Sequence, residues 1–404
     1  MNSLTALSFL FPLFLLSFLT GYQGVEGLPI RHPWPRYRHP WPPYRSKLPV
    51  IGRGHFFRPM RPTKLFVFGD SYADTGNKNI TEGRAWKFPY GISFPGRPTG
   101  RFSDGILLTD YIGRTQFYFY MTNIYDLPEI YDNIYTRNIA ARFLMLKTPV
   151  TYHWSKFGSR YLNSRIGMNF AYGGTGVYNT SDNDPNMTDQ INFFEQQIKD
   201  HLYSPADLNS SLALVTLSGN DYSNFQEKNP DGDILGFQFN LTNQLKADLK
   251  RIHDLGVKKV AVATLQPVGC LPTVTVSNDY KKCNDSIEML VSFHNYYVTT
   301  AVADLNNQTN SNSSFVVLDL HNGFMSVLTN GTGFPKFEDP MKPCCMGVSS
   351  EYNCGDMDKN GTRLYTMCRN PREYFFWDSV HPTQAGWRAV YTTMLPILRK
   401  ILFF

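Results

Sequence analysis

Short apolar runs alternate along the chain with longer stretches that have helical spacing. Five runs have the length and composition of buried strands: Leu65–Phe68, Met168–Tyr172, Leu212–Leu217, Lys259–Thr264 and Phe315–Leu318. Helices are predicted at about Asp189–His201, Gly236–Leu255 and Ile287–Leu305, and from about Gln384 onwards. This alternation predicts a three-layer α/β/α sandwich around a central parallel five-stranded sheet.

A candidate nucleophile lies where the first of these runs stops. The run ends in Gly69-Asp70-Ser71, which predicts a tight turn at the carboxyl edge of the sheet, where open α/β folds bind ligands. From this place Ser71 can attack a substrate, and its backbone N–H can stabilise a developing negative charge. Serine also caps helices frequently, so a cap at Ser71 is the alternative.

Further polar residues with catalytic potential follow two other strands and precede the last helix. Gly173 and Gly174 allow a backbone N–H to approach a ligand closely. The Asn220 side chain can donate to an oxyanion or form a turn with its own backbone. Asp378 and His381 lie three positions apart, so that the carboxylate can orient the imidazole towards a serine.

A second Asp and His pair competes with this one. Asp319 and His321 follow the last predicted strand, and residues two apart on an extended segment point to the same side. Of the nine histidines in the chain, His321 and His381 are the two with a convincing carboxylate neighbour. The residues alone therefore leave two candidate bases.

Four blocks together resemble the GDSL-type esterase/lipases of the SGNH-hydrolase superfamily, in their plant secreted branch. They are Gly69-Asp70-Ser71, the glycine turn after Asn169-Phe170-Ala171, Gly219-Asn220-Asp221 and the late Asp378–Pro382 block, within roughly residues 63–402. The resemblance implies a flavodoxin-like SGNH fold and a serine esterase that hydrolyses a small-molecule or polymeric carboxylic ester through an acyl-enzyme. A lipid, an acetylated polysaccharide and a phenolic ester are the candidate substrates. The resemblance also implies that no metal or organic cofactor is needed.

The resemblance assigns a role to each site residue. Ser71 would be the nucleophile, His381 its base, and Asp378 the group that orients the base. The oxyanion donors would be the N–H groups of Ser71 and Gly174, with Gly173 as the alternative to Gly174, and the side chain of Asn220.

One position departs from the family pattern. Tyr72 stands where the family usually has Leu. This residue is not part of the proton relay, so the change puts the shape of the pocket in question and not the activity. The α/β-hydrolase family is disfavoured, because Gly-x-Ser-x-Gly does not occur around any candidate serine. Two alternatives to an esterase remain: an acyltransferase that uses the same triad, and a non-catalytic accessory or binding protein of a secreted complex.

The amino-terminal segment and the sequons predict secretion. Residues 1–27 contain an apolar run, interrupted by Pro12, that is typical of a signal peptide and too short to cross a bilayer comfortably. A signal anchor is the alternative. Ten Asn-x-Ser/Thr sequons predict a glycoprotein. We therefore expect a secreted protein, extracellular or in the cell wall, without stable membrane insertion.

The six cysteines are an even number, which fits disulfides in an oxidising compartment. Cys270 and Cys283 are close in sequence and form one predicted pair. Because neighbouring cysteines rarely bond each other, two connectivities remain open for the second group, which is Cys344, Cys345, Cys354 and Cys368. A zinc site is the rival interpretation, but neither Cys-x-x-Cys nor a matching His spacing supports it.

The net charge of +6 resides in one segment. Residues 28–63 contain eight of the 39 Lys and Arg residues and no acid, so 31 basic residues face 33 acidic ones elsewhere. The segment is rich in proline and predicts an extended linker, with adhesion to an acidic cell-wall polysaccharide as the functional alternative. The nearly neutral remainder gives no reason to expect a nucleic-acid partner.

Residues 64–404 are expected to form the hydrolase domain, with one unusual insertion at 115–142. By resemblance, the family runs directly from a segment like 110–114 into one like 143–149. Half of the 28 inserted residues are Tyr, Phe, Ile or Asn, which have A/T-rich codons. The insertion is therefore either a translated intron or a lid over the active site.

Overall fold

The five apolar runs form strands of one parallel sheet in the computed structural model, which describes residues 64–113, 148–157, 165–217, 219–311, 313–329 and 336–403. The predictions for 1–27, 28–63 and 115–142 lie outside these described residues. All of the described residues fall in one compact unit, residues 57–404.

The strands and their order confirm the parallel sandwich. They are β1 (Lys64–Gly69), β2 (Val150–Thr151), β3 (Gly167–Asn169), β4 (Ser211–Thr216), β5 (Lys259–Ala263) and β6 (Phe315–Leu318) in the sheet, and β7 (Cys345–Gly347) with β8 (Tyr365–Met367) in an antiparallel hairpin. The sheet order is β2-β3-β1-β4-β5-β6. The prediction of five strands is one short, because β2 has only two residues and gives no apolar run.

All four predicted helices are present among the described residues, together with five short helices that the sequence analysis does not predict. They are α1 (Tyr152–Ser155), α2 (Met187–Lys199), α3 (Pro205–Asn209), α4 (Asn220–Lys228), α5 (Ile234–Asp254), α6 (Pro272–Thr275), α7 (Asp285–Gln308), α8 (Leu320–Leu328) and α9 (Gln384–Phe403). Residues 108–113 are helical as well.

Helices α2, α5 and α7 each begin two residues before the predicted start. The reason is the N-cap: the side chains of Asn186, Asp233 and Asn284 accept hydrogen bonds from backbone N–H groups of the first turn. Apolar periodicity detects the buried face and not the cap, so it places the start of a helix too late.

Alternate strand residues face two separate cores, which establishes the three layers. On one side Leu65 and Val67 of β1 pack with Phe324 of α8 and Trp387 of α9. On the other side Phe66 and Phe68 pack with side chains of α2, α5 and α7. Both faces of β1 are fully buried, which is why its sequence is a continuous apolar run instead of an alternating one.

The carboxyl end of β1 lies at a topological switch point of the sheet. Strand β1 pairs with β3 on one side and with β4 on the other. The chain thus continues to opposite sides of β1, and the crevice beyond such a strand is where open α/β sheets bind ligands. Whatever follows Gly69 therefore lies in the crevice.

The cysteines form three disulfides. Cys270–Cys283 confirms the predicted pair, and the second group forms Cys344–Cys368 and Cys345–Cys354. This selects one of the two open connectivities and leaves no thiolate for the rival zinc site. The two later disulfides hold the β7–β8 hairpin.

Thiol titration tests this pattern. In the unfolded, unreduced protein we expect less than one reactive thiol per chain, because all six cysteines are bonded in pairs. Reduction should expose six thiols and lower the thermal midpoint, since each native disulfide contributes about 2–4 kcal/mol. Two or more thiols before reduction would contradict the pairing.

Candidate active site

The turn after β1 presents Ser71 at the sheet edge. Gly69 has φ +146°, and a side chain there would collide with the carbonyl of Thr216. The carbonyl of Asp70 accepts hydrogen bonds from the N–H groups of Ala73 and Asp74 at 3.0 and 2.9 Å, which closes a single turn. No helix begins at this turn, because residues 70–74 are not helical, so the alternative that Ser71 caps a helix is wrong.

The late Asp-x-x-His block folds into a self-bonded turn. The Asp378 carboxylate accepts from the backbone N–H groups of Val380 and His381 at 2.9 and 2.8 Å. The His381 Nδ1 atom lies 2.8 Å from Asp378 Oδ1 and 2.9 Å from Oδ2. A spacing of three residues therefore places the carboxylate against the ring of the same turn.

The two turns meet. His381 Nε2 lies 2.9 Å from the Ser71 hydroxyl oxygen, although 310 positions separate the residues. Ser71 and His381 are each 7% exposed and Asp378 is 3% exposed, so the chain of hydrogen bonds is shielded but reachable from solvent. The structure thus brings together the three residues that the sequence singled out.

The electrostatics of Asp378 favour its ionised form. Burial alone would raise the pKa of the carboxyl. The charge of His381, and hydrogen bonds from His381, Val380 and Tyr90, outweigh that effect and lower the pKa to about 2. Asp378 is therefore a carboxylate at any pH at which His381 can act as a base.

The competing pair is not assembled. Asp319 caps α8 by accepting a hydrogen bond from the N–H of Asn322 at 3.0 Å, so the segment is not extended as the two-residue spacing assumed. His321 Nε2 lies 2.9 Å from the carboxylate of Glu288. The interpretation of Asp319 and His321 as a catalytic pair is wrong.

The glycine turn after β3 separates the roles of its two N–H groups. The N–H of Gly173 donates to the Asp74 carboxylate at 2.9 Å, which removes Gly173 as the alternative donor. Gly174 lines the same cleft as Ser71 and has φ +87°, where a side chain would also collide with Asp182. Gly173 lines the cleft as well, so the Asp74 contact of its N–H is what distinguishes the two glycines.

Asn220 lies at the site, with its amide already hydrogen-bonded. Its Nδ2 donates to the carbonyl of Thr175 at 2.9 Å and to the carboxylate of Asp70 at 3.2 Å. The preceding Gly219 has φ +105° and begins α4, which aims the first turn of the helix at the cleft.

Ser71 opens into a cleft of about 690 Å³ with a mixed lining. The lining includes an aliphatic wall, formed by Leu265, Val268, Leu271, Val274, Ile287, Leu290 and Val291. It also includes charged residues of both signs, which are Lys78, Glu82, Arg84, Lys87, Asp182 and Asp356. The cleft can therefore hold a molecule with an apolar part and a polar part.

Sequence reasoning missed the residues that hold the two turns. Asp74 accepts hydrogen bonds from four backbone N–H groups, three of them its own near neighbours, yet burial still raises its pKa to about 6. Asn77 donates to the carbonyls of Asn169 and Ala171, both at 2.8 Å. Tyr90 donates to Asp378 at 2.7 Å from 288 positions away. The contacts of Asn77 and Tyr90, and the one between Asp74 and Gly173, join distant parts of the chain and leave no local pattern in a sequence.

No group of three or more His, Cys, Asp or Glu side chains in the described segments could hold a metal ion. No helix in the described part of the chain is both long and apolar enough to cross a membrane.

Buried Ser, His and Asp side chains, linked in this order by hydrogen bonds at the carboxyl edge of a parallel sheet, have the geometry of a serine hydrolase site. The family model GDSL-like Lipase/Acylhydrolase matches residues 65–392. The chain belongs to this family. Membership confirms the resemblance, in its plant branch, and the expected class of activity, hydrolysis of carboxylic esters.

Curated relatives agree. A GDSL esterase/lipase of Arabidopsis thaliana, At5g03610, is 45% identical over 347 residues, which cover 85% of this chain and 88% of the relative. Another from that plant, At3g09930, is 42% identical and covers 85% and 90%. Among solved structures, a mutant of Axe2, an acetylxylan esterase from Geobacillus stearothermophilus, aligns with 14% identity and a TM-score of 0.36, covering 84% and 94%.

The pKa of Asp378 predicts a pH dependence of stability. A folded pKa of about 2 lies below the ordinary value near 3.9, so the carboxylate stabilises the fold above pH 4 and loses this effect as the pH falls towards 2. Between pH 5.5 and pH 3 we expect wild type to lose about 1 kcal/mol of its stability advantage over Asp378→Asn. Urea unfolding at both pH values measures it. An unchanged difference would contradict the lowered pKa.

Proposed function

We propose that this protein is a secreted serine esterase that cleaves carboxylic esters through an acyl-enzyme on Ser71. His381 takes the hydroxyl proton as Ser71 attacks the ester carbonyl, and Asp378 stabilises the imidazolium. His381 then gives the proton to the leaving alcohol. A water, deprotonated by the same imidazole, attacks the acyl carbon; the bond from the acyl carbon to Ser71 Oγ then breaks, His381 returns the proton to Oγ, and the acid leaves.

The oxyanion of each tetrahedral intermediate is held by three donors in this proposal. They are the backbone N–H groups of Ser71 and Gly174 and the side-chain amide of Asn220. Support comes from their common position around the cleft and from the Asp74 contact, which already uses the Gly173 N–H. The Asn220 amide would leave Asp70 for the oxyanion as negative charge develops.

One observation carries the proposal: the continuous hydrogen-bond chain from Ser71 through His381 to Asp378. Its contacts are 2.9 Å and 2.8 Å, and it ends at a cleft large enough for a drug-sized ester. A serine beside an imidazole that a carboxylate orients is the arrangement that activates a hydroxyl nucleophile. A purely structural role would need none of these three groups in this order.

Secretion has independent support. Three disulfides are typical of an oxidising compartment. Most sequons that the structure describes have an exposed asparagine, as at Asn79, Asn179, Asn209 and Asn240. For the basic segment 28–63, a role as a linker and adhesion to a polysaccharide both remain proposals.

The aliphatic and the charged residues of the cleft lining favour an ester that joins an apolar part to a polar part. A fatty-acyl ester of a polar alcohol fits this description better than a small acetyl ester, because acetate would leave the aliphatic wall uncovered. A series of p-nitrophenyl esters tests the point: we expect kcat/KM to rise from the acetate to about the octanoate. A maximum at the acetate would favour an acetylated polysaccharide instead.

Mutation of the triad tests the reaction. Ser71→Ala, His381→Ala and the double variant should each lose ester hydrolysis by several orders of magnitude, to similar extents, because the two residues act as a unit. A fluorophosphonate probe should label Ser71 in wild type and nothing in Ser71→Ala.

Asp319→Ala and His321→Ala are the matched controls for that experiment. Both belong to α8 or its cap, away from the hydroxyl of Ser71, and should keep turnover within about tenfold. An inactive His321→Ala would overturn the assignment of the base. Failure of the probe to label wild type would favour a binding protein, and ester exchange with an added alcohol would identify an acyltransferase.

Asn220 separates oxyanion stabilisation from substrate binding. Asn220→Ala should lower kcat roughly 10²-fold with little change in KM, since the donor matters most in the transition state. Asn224→Ala, one turn further along α4 and outside the cleft lining, is the control and should remain near wild type. A raised KM at unchanged kcat would show that Asn220 binds substrate instead.

A further inference from the structure

Two buried tyrosines touch the Asp378–His381 turn from different sides. The hydroxyl of Tyr90 donates to Asp378 Oδ2 at 2.7 Å. The hydroxyl of Tyr72 donates to the carbonyl of Val380 at 2.7 Å. Tyr90 is 0% and Tyr72 3% exposed, so each ring is buried while its one polar atom points at the turn.

Aromatic neighbours fix both rings. Tyr72 packs edge-on against Trp387 at 5.1 Å between ring centres and lies parallel to Phe324 at 6.2 Å. Tyr90 packs edge-on against Trp377 at 6.0 Å. Because such rings cannot swing without opening the core, the hydroxyl positions are set by packing and not by the turn that they contact.

Tyr90 acts on the charge of Asp378. Oδ1 of the carboxylate accepts hydrogen bonds from two backbone N–H groups, His381 Nδ1 lies within 2.9 Å of both oxygens, and Tyr90 donates to Oδ2. A donated O–H stabilises the carboxylate and so weakens its pull on an imidazolium proton. Loss of this one donor should therefore let His381 keep its proton to higher pH.

Tyr72 acts on position. It follows the nucleophile directly, and its hydroxyl reaches the residue before the base, so one side chain ties the Ser71 turn to the His381 turn. Neighbouring carbonyls of the same turn are held by backbone donors: Ser379 by Thr273 at 2.9 Å and His381 by Trp377 at 2.7 Å. Tyr72 completes this set from the nucleophile side. A Leu or Phe at position 72 has no atom for that contact.

We propose that Tyr72 and Tyr90 are positioning residues of the esterase reaction, Tyr72 setting the approach of His381 to Ser71 and Tyr90 orienting the Asp378 carboxylate and sharing its charge. This inference rests on the proposed function of the triad. The other charged groups near the two hydroxyls are Asp70 and Asp378 at Tyr72, and Arg84 and Asp378 at Tyr90. Burial and these carboxylates raise the pKa of both tyrosines well above 10, so both remain donors.

Tyrosine-to-phenylalanine variants test the two roles, since each removes one oxygen and keeps the ring. Tyr90→Phe should lower kcat about tenfold near pH 6, with KM within about twofold, and move the acid limb of the kcat/KM profile up by about half a pH unit. Tyr72→Phe should lower kcat about tenfold at every pH, with the acid limb unmoved. Tyr203→Phe, a buried tyrosine in the opposite core, is the control and should match wild type.

Two outcomes would overturn the proposal. One outcome is that both variants keep kcat within about twofold of wild type and have the same pH profile of kcat/KM as wild type. The other is that kcat/KM falls because KM rises while kcat is unchanged. Thermal midpoints, measured on the same samples, show that the compared variants are folded.

A second measurement needs no turnover. In the Ser71→Ala background, the low-field proton resonance of His381 Nδ1–H should titrate at higher pH when Tyr90→Phe is added. If wild type hydrolyses no ester and is not labelled by fluorophosphonate, the proposed function fails, yet this titration still decides the role of Tyr90. An unmoved titration would refute that role.

Discussion

The contact between Ser71 Oγ and His381 Nε2 is the one on which the rest of the site depends. It joins two turns that lie 310 positions apart in the chain and is 2.9 Å long. A misplacement of about 1 Å at such a contact costs orders of magnitude in rate. Neither turn can set this distance alone, so the fold must hold each of them in place.

The anchors of the two turns are of different kinds. At the end of β1, the Gln190 side chain accepts from the Gly69 N–H at 2.8 Å and donates to its carbonyl at 2.9 Å, which clamps the last strand residue. Before Asp378, the N–H groups of Cys344 and Cys345 donate to the carbonyls of Phe376 and Trp377. The disulfide-bonded hairpin thus supports the base, and helix α2 supports the nucleophile.

Sequence reasoning succeeded where the cause is local. Strand β1 is apolar at successive positions because both of its faces are buried. The Asp378 carboxylate contacts the His381 ring because a spacing of three residues is enough to close their turn. Sequence reasoning failed where the cause is distant: Gln190 lies 121 positions from Gly69, and Tyr90 lies 288 from Asp378. Such partners become visible only when the topology is known.

The errors of sequence reasoning have the same origin. The two-residue spacing of Asp319 and His321 assumes an extended segment, but the Asp319 side chain is the N-cap of α8. Asp often has this role, and the spacing cannot reveal it. Strand β2 gives no signal in the sequence, because two residues are too few to show a period. In both cases the local pattern is compatible with two structures, and tertiary contacts decide between them.

The same topology explains why the cleft has two characters. Helices that follow parallel strands begin at the carboxyl edge of the sheet, so the first turns of α5 and α7 border the site and supply Ile234, Ile287 and Leu290 to its wall. Most of the charged residues come instead from the segment after Ser71, which carries Lys78, Glu82, Arg84 and Lys87. Substitutions in those helix starts can therefore change the apolar side of the cleft without moving the triad, because the turns that hold Ser71 and His381 are anchored elsewhere.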